Sequence, residues 1–427
     1  MSNGSSFLHT FEVRGEKVYF HSLTLELYNS PQECPIPAEE QELLTSYRRK
    51  AGENNGIVMG CMFLTTRCVR SCGYCFMQGI RPGDMTPAEI DAGLKLMGKG
   101  PADLLLYGGE PFLRPNLILH VIRRARSSGA DINLSAATGG VPVDPSLAGE
   151  LASEGTFIIV SMDGPPAVHN SARPLIRGRN SFEKAEEAFH VFRNAGCRVG
   201  ISVTITEKNI KTVREDFIWL IENFEPDDMG LNPWLHPIAG GRANPMQATG
   251  PGILETVVSC METAIERGMY IEQLARRVRP FVRRIPRLKD CASAGGRLVQ
   301  IPGGTAGTCD CMTVCGDHGV NLKDTDDIRN LLTDFRDLSP VNFPKCITCP
   351  ALALCGGGCR YDALHSSGVL KGSRSERCSF EREFLKWMIE RSVMYGRESL
   401  VPAGGFDTGA MPMPVGTMIG EEQSVDT

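Results

Sequence analysis

The sequence lacks the features that mark a membrane, secreted or nucleic-acid-binding protein. It has no run of about 18 uncharged apolar residues, the length that a transmembrane helix needs. Its first residues, MSNGSSFLHTFEV, do not place an apolar core after a basic start, so no secretory signal is expected. The net charge of −5 argues against binding to nucleic acid by neutralising phosphates. We therefore expect a cytoplasmic protein with no membrane or nucleic-acid partner.

Cysteine, by contrast, is abundant. The 427 residues include 16 cysteines, although the 42% of hydrophobic and 22% of charged residues are ordinary for a globular protein. In a cytoplasmic chain, cysteines grouped at short spacings indicate metal ligation and not disulfides. The length itself predicts two or three structural units.

Composition and periodicity divide the chain into four segments. Residues 1–55 contain FEVRGEKVYF and LTLELY, which predict the two strands of a hairpin, with a helix following over Glu39–Arg49. Residues 56–285 alternate short apolar runs with helical stretches. Residues 286–395 are rich in glycine, cysteine and proline with little periodicity, as expected where metal centres replace an apolar core. Residues 396–427 are expected to be disordered.

The regular second segment predicts six strands, each followed by a helix. Two helices carry start signals: Thr86 and Glu89 form a capping box with Pro87 at the first helical position, and Asn180 with Glu183 repeats the box. Such repeats predict a parallel sheet, either an open doubly wound sheet or a partial barrel, with function at the carboxyl ends of the strands. The predicted strands lie near Ile57–Thr65, Leu104–Tyr107, Ile132–Ala136, Phe157–Ser161, Gly200–Ile205 and Met229–Trp234.

A first cysteine cluster follows the first predicted strand. Cys68, Cys72 and Cys75 have the spacing C-x3-C-x2-C, whereas a structural zinc site or a closed [4Fe–4S] cube takes four ligands. Three cysteines leave one iron of a cube open to a small chelating ligand, and S-adenosylmethionine suits that position through its amino and carboxylate groups. A zinc or redox cluster is the alternative for these cysteines taken alone.

The segment CVRSCGYC, with Tyr74 before the last cysteine, resembles the signature of the radical S-adenosylmethionine (radical SAM) superfamily. The resemblance implies a partial (β/α)6 barrel. It also implies that the cluster takes an electron from a flavodoxin or ferredoxin and cleaves S-adenosylmethionine to a 5′-deoxyadenosyl radical, which abstracts hydrogen from an unactivated carbon.

Two further motifs support this resemblance. Gly108 and Gly109 let the backbone approach a ligand, and Glu110 offers an acceptor where the family binds the methionine amino group. Ser161 and Asp163 suit the two hydroxyls of a ribose, although Asp163 could serve only as a turn residue. The resemblance continues through His169, to which we assign no role. The cofactor contacts implied are Tyr74, Gly108, Gly109, Glu110, Ser161, Asp163, Arg173 and Leu235, the last as an adenine contact.

A second array of cysteines lies in the third segment. Its pattern, C-x12-G-x4-C … C-x2-C-x5-C-x3-C … C, resembles the SPASM domain, which carries auxiliary [4Fe–4S] clusters; zinc is the alternative. The resemblance implies three [4Fe–4S] clusters in all. The outer auxiliary cluster would be held by Cys346, Cys349, Cys355 and Cys378, and the inner one by Cys291, Cys309 and Cys359.

The inner set departs from the family pattern. Well-known members place a further cysteine shortly after the first, but Ala292–Arg297 contains none. Either the inner cluster has an open iron, or Cys311 or Cys315 supplies the fourth thiolate. The remaining cysteines stand alone and are expected to be buried apolar residues; they are Cys34, Cys61, Cys197 and Cys260.

The resemblance also suggests the reaction. Asp310 stands where SPASM sulfatase-maturing enzymes place a proton acceptor. The hairpin resembles the front segment of peptide maturases, and its free edge could accept an extended peptide as an added strand; it could also simply cover the barrel. We therefore expect cross-linking or oxidation of a peptide or protein side chain. The alternatives are formylglycine formation on a sulfatase and radical chemistry on a small-molecule cofactor or metabolite.

Overall fold

The architecture consists of a small antiparallel sheet and a large mixed sheet surrounded by helices. The computed structural model describes residues 6–35, 37–238, 241–250, 252–269, 271–403 and 405. The strands are β1 (Leu8–Val13), β2 (Glu16–His21), β3 (Glu26–Tyr28), β4 (Met59–Thr65), β5 (Ala102–Gly108), β6 (Ile132–Thr138), β7 (Phe157–Ser161), β8 (Arg198–Thr204), β9 (Asp228–Asn232), β10 (Arg297–Ile301), β11 (Thr305–Gly307) and β12 (Val320–Asn321). The helices are α1 (Pro37–Gly52), α2 (Pro87–Met97), α3 (Pro115–Ser128), α4 (Pro145–Ser153), α5 (Pro166–Ala172), α6 (Phe182–Asn194), α7 (Val213–Phe224), α8 (Gly252–Glu266), α9 (Glu272–Arg283), α10 (Asp310–Cys315), α11 (Thr325–Arg336), α12 (Arg360–Ser367) and α13 (Ser375–Tyr395).

The large sheet confirms the predicted parallel core. Its strand order is β12-β11-β10-β4-β5-β6-β7-β8-β9, and each strand from β4 to β8 pairs in parallel with the next one along the chain. A doubly wound sheet reverses its order at a switch point, which this sheet does not do between β4 and β9. The core is therefore a partial barrel, and the carboxyl ends of its six strands share one edge.

Local sequence explains why these strands and helices form where they do. Strand β4, MGCMFLT, is buried along nearly its whole length, as a parallel strand covered on both faces must be. The capping box of Thr86 and Glu89 is present at the start of α2. The second predicted box is wrong: α6 begins at Phe182, so Ser181 takes the N-cap position in place of Asn180 and makes no side-chain capping bond.

The amino-terminal unit contains the predicted hairpin and helix, but its sheet has three strands and the segments are divided differently. Arg14 and Gly15 both have positive φ, 52° and 83°, which places a tight turn inside FEVRGEKVYF and makes that segment both β1 and β2. LTLELY then supplies β3. The unit packs on the body: the rings of Phe20 and Phe281 lie 6.0 Å apart. So small a unit cannot bury a sufficient core alone, and this contact supplies part of it.

The cysteine-rich segment is continuous with the barrel. Strand β10 pairs in parallel with β4, and β11 and β12 extend that edge in antiparallel fashion. Residues 397–400, which the sequence placed in a disordered tail, form a 3-10 turn in which Leu400 is fully buried. Most of the predicted tail, residues 406–427, lies outside the described residues. Among the helices described, none has the length and apolar character needed to cross a bilayer.

Candidate active site and cysteine clusters

The loop after β4 brings the first three cysteines together. Cys68, Cys72 and Cys75 are all partly buried. Burial, followed by the neighbouring thiolates of Cys72 and Cys68, raises the pKa of Cys75 to about 11. Three thiolates so close together in a partly buried loop need a positive partner, and soft sulfur ligands suit iron or zinc. The residues present therefore fit a thiolate-bound metal centre.

Gly108, the last residue of β5, and Gly109 after it hold this loop against the barrel. The N–H of Gly109 donates to the carbonyl of Thr65 at 2.9 Å, and the N–H of Glu110 donates to that of Arg67 at 2.9 Å. A Cβ on Gly109 would lie 2.2 Å from the Arg67 oxygen, and Gly108 has φ +134°. Glycine is thus required here because the backbone leading into the cysteine loop approaches so closely. The sequence analysis had instead explained these glycines by the close approach of a ligand.

Glu110 connects the ends of β5 and β6. Its carboxylate accepts hydrogen bonds from the Thr138 hydroxyl at 2.8 Å, the Gly139 N–H at 2.8 Å and the Phe112 N–H at 3.3 Å. The side chain is fully buried, and burial raises the pKa of Glu110 despite these bonds. Its place at the strand end agrees with the predicted cofactor edge.

Asp163 is the centre of a buried network just past β7. Its Oδ2 accepts from the Tyr74 hydroxyl at 2.7 Å and from Arg173 Nε at 2.8 Å, while its Oδ1 accepts from the Thr204 N–H at 2.9 Å. The Arg173 guanidinium also lies 5.2 Å from the centre of the Tyr74 ring. Asp163, which like Glu110 is fully buried in this structure, therefore holds Tyr74 and Arg173 in place.

The remaining two predicted cofactor contacts lie at the same edge. Ser161 is the last residue of β7 and is partly exposed. Leu235 follows β9, is 5% exposed and donates its N–H to the Gln247 side-chain oxygen at 2.8 Å. The structure thus brings the predicted set to the carboxyl ends of β4, β5, β7 and β9.

Arg70 is a residue of the cysteine loop whose contacts the sequence reasoning missed. It lies between Cys68 and Cys72 and is 8% exposed. Its guanidinium donates to the carbonyls of Gly139 and Gly140, and its backbone N–H donates to the Cys68 sulfur at 3.4 Å. The only sequence signal was a cation inside the cysteine motif, because its partners are about 70 residues away.

The predicted outer cysteines surround one cavity of about 450 Å³. Burial, and to a smaller extent the thiolates of Cys349 and Cys378, raise the pKa of Cys346 to about 11. Gly356 has φ +67°, and a Cβ there would lie 2.4 Å from the backbone of Lys289 and Asp290. The chain can therefore fold tightly around the cavity. All four predicted outer ligands line it, and so does Cys359 of the predicted inner set; the outer ligands are Cys346, Cys349, Cys355 and Cys378.

The predicted inner cysteines are also neighbours. Burial has the largest effect and raises the pKa of Cys291. The thiolates of Cys359 and Cys309 raise this pKa further, among other smaller charge effects. A hydrogen bond from Cys311 lowers the pKa of Cys309 to about 7. The four lone cysteines are buried, as predicted: Cys34, Cys61, Cys197 and Cys260.

Asp310 begins α10 and faces the barrel. Its Oδ2 accepts a hydrogen bond from Arg297 at 2.8 Å, and its side chain is 22% exposed. Burial and then the charge of Asp310 raise the pKa of Tyr107 on β5. A cavity of about 350 Å³ runs along the barrel from Met59 on β4 to Cys291 and Arg297. Arg297, the ion-pair partner of Asp310, therefore also lines a cavity inside the barrel.

Part of the chain is similar to a known family. Residues 62–220 match the model of the Radical SAM superfamily. A pre-heme d1 synthase of Dinoroseobacter shibae is 32% identical over 187 residues, which cover 42% of this chain and 44% of that protein. A cysteine-type anaerobic sulfatase-maturating enzyme of Clostridium perfringens is 25% identical over 170 residues, which cover 36% of this chain and 46% of that protein. The chain thus matches less than half the length of these relatives.

Solved structures share the fold over a longer range. The structure of anSMEcpe with bound AdoMet and Cp18Cys peptide has a TM-score of 0.66 and 19% identity, covering 80% of this chain and 99% of that one. Streptococcus suis SuiB bound to S-adenosylmethionine has a TM-score of 0.56 and 13% identity, covering 88% of this chain and 99% of that one. The predicted radical SAM fold is therefore confirmed.

Proposed function

We propose that this radical SAM enzyme cleaves S-adenosylmethionine at a [4Fe–4S] cluster held by Cys68, Cys72 and Cys75 and abstracts hydrogen from a peptide or protein side chain. The observation that carries the proposal is the arrangement of these cysteines beside Glu110 and the Tyr74–Asp163–Arg173 network at the carboxyl edge of the barrel. When bound, the cluster supplies the electron that converts the cofactor to an adenosyl radical.

The residues at this edge divide the work of binding the cofactor. Glu110, held by three hydrogen bonds, offers its carboxylate to the amino group of the methionine portion. Ser161 is partly exposed and suits the ribose, and Leu235 suits the adenine. Asp163 keeps the Tyr74 ring and the Arg173 guanidinium in place, so that the site does not reorganise when the cofactor enters.

Two auxiliary clusters complete the proposed cofactor set. Five cysteines line the cavity of about 450 Å³, and four of them are the proposed ligands of the outer cluster: Cys346, Cys349, Cys355 and Cys378. Cys291, Cys309 and Cys359 form a second, incomplete set. Thiolates at these spacings also suit zinc, and iron content distinguishes the two metals. A flavodoxin or ferredoxin is the proposed reductant.

A peptide or protein is the proposed substrate class. Two proteins that share this fold have been solved with peptides, anSMEcpe with Cp18Cys and SuiB with the precursor peptide SuiA. In this chain, β1 lies at the edge of the amino-terminal sheet and could pair with an extended peptide. Asp310, which is paired with Arg297 at 2.8 Å, is the proposed acceptor of a substrate proton.

Specific observations favour two other reactions. The relationship to a sulfatase-maturating enzyme, together with Asp310, favours formylglycine formation on a sulfatase. The relationship to a pre-heme d1 synthase and to an Fe-coproporphyrin III synthase of Methanosarcina barkeri, 26% identical over 188 residues, favours a small-molecule substrate.

Deuterium transfer separates these substrate classes. The full chain, reconstituted without oxygen, is incubated with S-adenosylmethionine, dithionite and a deuterium-labelled host extract divided into macromolecules and small molecules. Deuterium in 5′-deoxyadenosine with the macromolecular fraction, abolished when that fraction is digested with protease, supports a protein or peptide substrate. Transfer from the small-molecule fraction alone overturns this part of the proposal. Mass spectrometry of the modified chain then distinguishes loss of two hydrogens from conversion of cysteine to an aldehyde.

A further inference from the structure

We propose that Arg70 is the buried counter-charge of the cluster bound by Cys68, Cys72 and Cys75, and that its positive charge makes this cluster easier to reduce. This inference rests on the proposed function, because it assumes that the three cysteines hold a [4Fe–4S] cluster. Arg70 lies between the first two of these cysteines, and the proposed function gives it no role.

The guanidinium of Arg70 is enclosed by protein. Only 8% of the residue is exposed, although arginine is almost never buried without a charged partner. Its nitrogens lie beside the carbonyl oxygens of Gly139 and Gly140 and, at 3.4 Å, beside that of Arg173. The buried ring of His169 is a further neighbour, with Nε2 3.4 Å from Nη1. A cation excluded from water interacts strongly with other charges, because little solvent screens it.

These neighbours bind the guanidinium without neutralising it. Carbonyl groups and a histidine ring carry no negative charge. In the part of the chain that the structure describes, Arg70 forms no ion pair, and its Nε has no hydrogen-bond partner. Arg173 differs, since its guanidinium pairs with Asp163 at 2.8 Å. An unpaired charge is costly to bury, so an anion bound near Arg70 would offset part of that cost.

Glu110 does not neutralise Arg70 directly. Its carboxylate accepts from the Gly139 N–H, whereas Arg70 donates to the Gly139 carbonyl, so the two side chains bind different groups of one residue. Glu110 is fully buried, and burial raises its pKa, which disfavours its charged form. The proposed function also directs this carboxylate to the amino group of the cofactor.

The cluster supplies the missing anion. Three thiolates outweigh the positive charge of a [4Fe–4S] core, and reduction adds a further negative charge. Cys68 and Cys72 each lie two residues from Arg70, whose backbone N–H is 3.4 Å from the Cys68 sulfur. Burial and then the charge of Arg173 lower the pKa of Arg70, and the Cys72 and Cys68 thiolates oppose this change. The Arg70 charge therefore stabilises the reduced cluster more than the oxidised one, which raises the reduction potential.

The backbone holds the cysteine loop in place without this side chain. The Ser71 N–H donates to the Pro174 carbonyl at 2.9 Å, and the Ile176 N–H donates to the Val69 carbonyl at 2.9 Å. These bonds pair the loop with the segment after α5 and involve no side chain. The Arg70 charge can therefore be removed while the loop remains attached.

The test is the reduction potential of this cluster in the anaerobically reconstituted full chain, followed by electron paramagnetic resonance during a redox titration. The signal that is missing from Cys72→Ala identifies the cluster. We expect a lower potential in Arg70→Gln, which removes the charge, and a potential near that of wild type in Arg70→Lys, which keeps it. Arg67→Gln is the matched control and should leave the potential unchanged. It removes a cation beside Cys68 that is 50% exposed and pairs with Asp84 at 3.4 Å, so water screens its charge.

Iron content decides the matter where a variant loses the cluster. Loss of about four irons from Arg70→Gln and not from Arg70→Lys also supports the counter-charge. Three results would overturn it: equal loss of iron from both variants, an unchanged potential in Arg70→Gln, or an equally lowered potential in both. The proposed function fails by a different result, which is wild-type protein that holds about twelve irons and forms no 5′-deoxyadenosine. The potentials would still decide the role of Arg70.

Discussion

The Tyr74 hydroxyl lies 2.7 Å from the Asp163 carboxylate, which joins the cysteine loop to the end of strand β7. The same oxygen accepts from Arg173, so one buried carboxylate holds an aromatic ring and a cation at the edge where the barrel strands end. The loop that carries the cysteines is therefore attached to the barrel by side chains as well as by its own backbone.

Asp163→Asn should destabilise the protein strongly. The substitution leaves Arg173, 9% exposed in its side chain, without a negative partner, and such losses cost about 3–5 kcal/mol of unfolding free energy. Urea unfolding without oxygen measures the change. Asp91→Asn is the matched control, because it removes a solvent-exposed carboxylate paired with Arg124 and His120 and should cost less than about 1 kcal/mol. Equal losses in both variants would show that burial of the pair has no special effect.

Gly109→Ala should disrupt the cysteine loop. The added Cβ would lie 2.2 Å from the Arg67 carbonyl oxygen, so the loop backbone must move. We expect a lower melting temperature and less iron per chain after reconstitution. Gly149→Ala, in α4, is the control: nothing lies within 4 Å of its Cβ, and alanine favours a helix by about 1 kcal/mol. If Gly109→Ala retained its full iron content and stability, the close approach of Gly109 to the Arg67 carbonyl would not be needed to hold the cysteine loop.

The two cysteine groups should behave differently when mutated. Cys72→Ala removes a ligand of the cofactor-binding cluster, so cofactor cleavage should be lost and iron should fall by about four per chain. Cys349→Ala should lower iron similarly yet leave some cleavage, because its cavity is separate from the first three cysteines. Cys260→Ala, at a lone buried cysteine, should change neither quantity. Loss of cleavage in Cys349→Ala and its retention in Cys72→Ala would reverse the assignment.

Stability should fall as the pH is lowered from about 6.5 to 4. Burial, with a smaller contribution from His21, lowers the pKa of His9 in β1 to about 4. Between these values the unfolded chain binds a proton that the folded chain does not, so protonation favours unfolding. His9→Gln should therefore flatten the pH dependence of the urea midpoint, and His190→Gln, at an exposed position, should leave it unchanged. Parallel profiles for all three proteins would exclude His9 as the cause.

The sequence analysis predicted those features that depend on residues close together in the chain. Six strands, the capping box at Thr86 and the grouping of cysteines all depend on residues close together in the chain, and the structure places them as expected. The turn at Arg14 and Gly15 was also local, but it lies inside FEVRGEKVYF, which the sequence analysis took as one strand.

Contacts between segments far apart in the chain could not be predicted from the sequence. Arg70 bonds to carbonyls about 70 residues away, and its guanidinium also meets the Arg173 carbonyl, 103 residues later. Asp163 illustrates the same limit: its position at a strand end suggested a ligand contact, and only the fold shows that Tyr74, Arg173 and Thr204 already use its oxygens. A motif gives the position of a polar group, while its partners depend on the tertiary structure.

The most direct measurement is the formation of 5′-deoxyadenosine by the anaerobically reconstituted full chain with S-adenosylmethionine and dithionite. We expect 5′-deoxyadenosine and methionine in equal amounts from the wild-type protein and none from Cys72→Ala. If wild-type protein with about twelve irons per chain formed no 5′-deoxyadenosine, the site formed by Cys68, Cys72 and Cys75 would not perform the proposed chemistry.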